Sequence, residues 1–114
     1  LINYGNQVTN AWENSAKQNN INIKVTGIPP LRYFAFDNEN SDVTQTFYTQ
    51  EMLKKGFLAG SSVYATNAYS DRIIRKYEKE SFRIFNKINY YNSKGNLLSK
   101  LEGPVIEKGF KRLN

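Results

Sequence analysis

Apolar residues recur at spacings of three and four over the first nineteen positions. Leu1, Tyr4, Val8, Ala11, Trp12 and Ala16 fall on one stripe, which predicts an amphipathic helix over 1–19. No capping residue precedes Leu1, so this helix is expected to continue from chain upstream. Trp12 is expected to anchor the stripe in a core. Asn19 and Asn20 mark the helix end, because Asn tolerates the left-handed conformation. The period then changes. Ile21, Ile23 and Val25 alternate with Asn22, Lys24 and Thr26, the signature of a half-buried strand. Gly27-Ile28-Pro29-Pro30 reads as a rigid connector. Leu31–Phe36 is apolar and aromatic on both faces, which predicts a strand covered on both sides.

Asp37 to Asp42 is a polar turn, with Ser41 the expected N-cap of a helix running to about Lys55 and stopped by Gly56. Phe57-Leu58-Ala59 reads as a short strand, Gly60-Ser61-Ser62 as a loop, and Val63–Ala68 as a further strand with Tyr64, Thr66 and Ala68 on one face. Ser70-Asp71 opens the longest helix. Its apolar positions are Ile73, Ile74, Tyr77, Ile84, Phe85 and Ile88, with Ser81 the weak link, and it ends near Tyr90-Tyr91 in the turn Asn92–Asn96. Beyond it, Leu97, Leu98, Leu101, Val105, Ile106, Phe110 and Leu113 stand isolated among polar residues. That pattern suits a segment that docks rather than one that forms a core. The expected organisation is one α+β two-layer domain over 1–92, followed by a docking or partly mobile tail over 93–114.

Composition removes whole classes of chemistry. The 114 residues include no cysteine, so disulfides and thiolate metal sites are ruled out. They include no histidine, which removes the commonest general base and the commonest transition-metal ligand. No apolar run has the length of a signal peptide or membrane span, so a cytoplasmic protein is the expectation. The net charge of +6 invites a nucleic-acid reading. Much of the excess lies along the last helix (Arg72, Arg75, Lys76, Lys79, Arg83, Lys87) and the tail, with Glu78, Glu80, Glu102 and Glu107 interspersed. A solvated helix face is the plainer account of it.

The candidate sites are sparse. Asp37, Glu39 and Asp42 lack the twelve-residue loop with its glycine and terminal glutamate that calcium needs, so no metal is expected. Arg32, the one charge in its strand, suits a strand-end position with its head in water; contact with a substrate carboxylate is the sharper alternative. The Gly60-Ser61-Ser62 loop has the donors to meet an anion, although such loops more often simply connect strands.

Taken together, GIPPLRYFAFD, the run TQEMLKKGFLAGSSVYATNAYSDRIIRKYEKESFRIF and the ending EGPVIEKGFKRLN resemble the carboxy-terminal part of class III pyridoxal-phosphate-dependent aminotransferases. The branch they are most similar to is that of glutamate-1-semialdehyde aminomutase. The resemblance covers nearly the whole chain. It implies the small domain of fold-type I pyridoxal-phosphate enzymes, a short, mostly antiparallel sheet with helices packed on one face. It also implies a parent enzyme, an aminotransferase or aminomutase that is a homodimer when full length. That enzyme's Schiff-base lysine, cofactor phosphate loop and pyridine-pairing aspartate belong to an amino-terminal large domain. This chain is then expected to hold no catalytic and no cofactor-binding residue, to bind no pyridoxal phosphate alone, and to be inactive alone.

The partners so implied are the large domain and a small-molecule amino donor or acceptor, with no nucleic acid and no membrane. Ser61, Ser62, Tyr64, Thr66 and Asn67 are the residues expected to line the substrate entrance. In amino-acid transaminases of the class an arginine stands on the strand corresponding to Val63–Ala68, whereas this sequence has Thr66 or Asn67 there. The family's histidine after that strand is Tyr69, and its loop after Ala59 is shortened. The missing arginine points toward the aminomutase-like branch or an unusual amino donor, and the other two departures leave the substrate open. The alternative, from a different class, is a small basic module that binds nucleic acid or an acidic protein partner.

Overall fold

A computed structural model describes residues 4–28, 31–57, 62–64 and 71–106, through the backbone alone at 4–5, 27–28, 31–33, 62–64 and 71. The elements follow the order helix, strand, strand, helix, strand, helix: α1 (Tyr4–Gln18), β1 (Ile23–Ile28), β2 (Leu31–Phe36), α2 (Ser41–Lys54), β3 (Ser62–Tyr64) and α3 (Asp71–Lys94). A 3-10 turn over Leu98–Lys100 follows. The strands form one antiparallel sheet in the order β1-β2-β3. The predicted strand at 57–59 falls mostly outside the described residues, and Phe57 itself is not in a strand.

Register decides which residues meet the helices. Ile23 pairs with Phe36 and Val25 with Phe34, and this face is buried. Lys24 pairs with Ala35 on the opposite face, where Lys24 and Thr26 are exposed and Ala35 is half-buried. The expectation that β2 is covered on both sides is therefore corrected. Phe34 and Phe36 fill the core from alternate positions, while the small Ala35 sits beside a lysine on the open face.

The core is an aromatic cluster. Phe34 packs against Trp12, Phe36, Tyr48 and Phe85 with ring centroids 4.8–5.7 Å apart. Truncating a buried aromatic at such a site costs about 3–5 kcal/mol. In the helical layer α3 lies between α1 and α2, touching the first through Trp12–Tyr77 and the second through Phe47–Tyr91.

A chain of polar groups crosses this apolar interior. Trp12 Nε1 donates to the Tyr77 hydroxyl at 2.9 Å, the Tyr48 hydroxyl donates to Tyr77 at 3.4 Å, and Tyr48 and Ser81 oxygens lie 2.9 Å apart. Since Tyr48 spends its one proton on Tyr77, Ser81 donates to Tyr48. Ser81 is thus no gap in the α3 stripe. It is fully buried at the stripe's centre and satisfies a buried phenol. Burial pushes the Tyr48 hydroxyl up to about 12, against smaller opposing effects of its hydrogen bonds with Ser81, Tyr77 and Trp12.

All three helices end in the same way. At Asn20, Gly56 and Gly95 the backbone turns left-handed, with φ of 54°, 93° and 68°. The amide after each of them returns to the carbonyl five residues back: Ile21 to Ala16, Phe57 to Met52 and Asn96 to Tyr91. This is the Schellman arrangement, which satisfies otherwise orphaned carbonyls. Gly95 carries α3 to Lys94, past the end predicted at Tyr91. The start of α2 also differs from expectation: Asn40, not Ser41, is its N-cap residue. The Asn40 side-chain oxygen is engaged by Asn38 and by the Thr44 hydroxyl rather than by a helix amide. Thr44 and Thr46, both buried, bond back to the carbonyls of Asn40 and Asp42, which lets α2 bury hydroxyls on more than one side.

Candidate functional site

Of the predicted entrance residues, Ser62 and Tyr64 lie in β3, the edge strand opposite β1. Ser62 pairs with Tyr33, Val63 with Arg32 and Tyr64 with Leu31. The register thus puts Ser62 and Tyr64 on one face of the edge strand and brings the backbone of Arg32 beside that of Val63. Ser61, Thr66 and Asn67 lie outside the described residues. Among the described residues no group of three or more acids stands close enough to hold a metal ion, and Asp37 and Glu39 are exposed.

A second region lies where the chain after α3 returns along α2. The sequence predicts a docking tail here but does not single out the part that α2 plays in holding it. Leu97 is buried in the core, and residues 100–106 then run back across the outer side of α2. Side chains one helical turn apart hold this strap. Gln50 donates to the Lys100 carbonyl at 3.1 Å and accepts from the Glu102 amide at 2.7 Å, Lys54 pairs with the Glu102 carboxylate, and the Thr46 hydroxyl accepts from the Ile106 amide at 2.9 Å. The Thr46/Gln50/Lys54 spacing of four was the signal available in the sequence.

Two hollows flank the strap. One, of about 340 Å³, is chiefly apolar, with Leu53, Pro104 and Ile106 among its walls. The other, of about 250 Å³, is lined by Phe47, Tyr91 and the charged groups of Glu51, Lys54, Lys87, Lys100 and Glu102. Glu51 lies 3.1 Å from Lys54 and 3.5 Å from Lys87, while the Lys100 ammonium stands 5.0 Å over the Tyr91 ring. Partial burial pushes the Glu51 carboxyl up. Hydrogen bonds from Gln50 and Lys54, with the charges of Lys54 and Lys87, outweigh it and hold the group below its usual range. Lys54 is shifted upward, chiefly by its hydrogen bond to Glu102 and then by Glu51. Among the residues lining this hollow no nucleophile stands beside a base.

Among the described residues no helix is long and apolar enough to cross a membrane. No family model, curated protein or solved structure matches the chain.

Proposed function

We propose that the chain is the specificity-shaping small domain of a pyridoxal-phosphate-dependent class III aminotransferase or aminomutase, of the glutamate-1-semialdehyde aminomutase-like branch. The supporting observation is the layering of sheet and helices. Three antiparallel strands with the helices on one face suit the short, mostly antiparallel sheet that the resemblance implies. Of the two strands it implies between α2 and α3 one, β3, lies in the described residues. The described residues do not fit a site for the cofactor itself. A Schiff-base lysine works from an enclosed pocket that holds its amine neutral. Every described lysine here is exposed. No chemical step is therefore assigned to this chain.

Its part in the parent is to line the entrance. Ser61, Ser62, Tyr64, Thr66 and Asn67 would meet the incoming amino donor or acceptor by hydrogen bonding and shape. The large domain of the same protein, in a homodimer, would supply the cofactor and its lysine.

Two measurements test this. The isolated chain mixed with pyridoxal phosphate should give no stoichiometric aldimine absorbance band; a tight band would defeat the reading. In the parent enzyme, Thr66→Ala with Asn67→Ala should change the ratio of kcat/KM between two amino donors by about tenfold, the worth of one or two hydrogen bonds. An unchanged ratio removes these residues from the entrance.

A further inference from the structure

The basic residues of α3 are scattered along the sequence but not around the helix. Arg72, Lys76, Lys79, Arg83, Lys87 and Lys94 follow one another in steps of three, four or seven, and all are exposed. At about 100° per residue these six fall within roughly 80° of arc, with the exposed Arg75 about 40° outside it, and at about 1.5 Å per residue they span about 33 Å. The buried set Ile74, Tyr77, Ser81, Ile84, Phe85 and Ile88 occupies the opposite side. Folding thus gathers a diffuse excess of charge into one straight row.

Little in the chain neutralises it. Arg83 lies 3.8 Å from Glu80 and Lys87 lies 3.5 Å from Glu51. Arg72, Lys76 and Lys79 have no carboxylate within ion-pairing distance among the described residues. Tyr90, 58 % exposed, stands within the row beneath the Lys94 ammonium, and Phe82 is exposed on its flank. Arginine and exposed aromatics among cations are what protein interfaces favour.

The shape of the surface separates the possible polyanions. α1 and α2 pack against α3, and its outer face is left to solvent. The phosphates of a duplex wind away from a straight row, so a duplex would meet few of the charges. A second helix lying alongside, with acids repeating every three or four residues, would meet all of them. We infer that the outer face of α3 is a docking surface for an acidic protein partner, one that presents carboxylates along a helix at intervals of about one turn. The inference stands apart from the enzyme assignment.

The test titrates the 114-residue chain with a fluorescent alanine-based helical peptide bearing glutamates along one face, at about 50 mM salt. The comparators are an isomer with the same glutamates distributed around the helix and an oligothymidylate of equal charge. The matched peptide should bind at least about tenfold tighter than its isomer, from several exposed pairs of modest individual worth. Arg72→Glu/Lys76→Glu/Lys79→Glu should weaken it by about tenfold or more, and the same three changed to Ala should fall between. Lys17→Glu/Lys24→Glu/Lys55→Glu, an equal change of charge elsewhere, should have a much smaller effect. Equal binding of the two peptides, or equal losses in both charge-reversal triples, would overturn the inference. So would tighter binding of the oligothymidylate, which would give the surface to a phosphate chain.

Discussion

Replacing Tyr48 by phenylalanine removes one hydroxyl from the interior and leaves the fully buried Ser81 without the acceptor 2.9 Å away. Near neutral pH the loss of that hydrogen bond and the desolvated partner it orphans should cost about 1–3 kcal/mol. The pH dependence of this difference is the more searching test. In the folded chain Tyr48 holds its proton up to about 12, whereas the ordinary phenol value is 10.0. Between those values the unfolded chain has released a proton that the native chain keeps. The contribution of this group is therefore complete below about pH 10 and is lost as pH rises toward 12. The gap of about two pH units, at about 1.36 kcal/mol each, amounts to about 3 kcal/mol. The Tyr48→Phe variant has no such group to lose. The wild-type advantage should thus shrink above about pH 10 and vanish or reverse near pH 12. Urea unfolding followed through Trp12, the single tryptophan and fully buried, measures both proteins across about pH 8–11.5, and their difference cancels the other tyrosines and lysines. A difference that stays constant across that range would refute the reasoning.

The helix ends give a second prediction with opposite signs. Gly56→Ala introduces a Cβ that meets nothing within 4 Å, so its cost is the left-handed backbone alone, about 1 kcal/mol. Asn20→Gly relieves the same kind of strain and should raise stability by a few tenths to about 1 kcal/mol. Thermal melts of the two variants check both, and shifts of the same sign would be inconsistent with the geometry. For the strap, Gln50→Ala should speed amide exchange at Glu102 by about tenfold while leaving the Trp12 core signal unchanged. Undiminished protection at Glu102 would mean that Gln50 does not hold it.

α1 and α3 were legible because each carries an apolar stripe and a stop residue of the right kind: Val8, Trp12 and Ala16 before Asn20, and Ile84, Phe85 and Ile88 before Gly95. α2 has no such stripe and was legible from its polar start and Gly56. Ser81 was misread because hydropathy scores a serine as polar, while its partner, Tyr48, lies 33 positions earlier. Local pattern cannot show that two polar groups will cancel inside a core. The N-cap fell at Asn40 rather than Ser41 because both are good caps and the choice rested on neighbouring side chains. The tail was expected to dock, and the surface it docks on escaped for a related reason. Its hydrogen bonds join backbone groups of 100–106 to side chains of α2, and a backbone amide carries no residue label. At the entrance, the register of Ser62 and Tyr64 is in hand, while Ser61, Thr66 and Asn67 lie outside the described residues.

The packing of Phe34 and Phe36 against Phe85 has a consequence for how the chain is made. A ribosome delivers the two strand phenylalanines well before their partner on the last helix. At roughly 5–20 residues per second the interval from Phe36 to Phe85 lasts about 2–10 seconds. During that time the aromatic face of the nascent hairpin has no α3 to cover it. Synthesis therefore passes through a sticky, half-built stage, and slowing translation between these two positions should increase the demand for a chaperone.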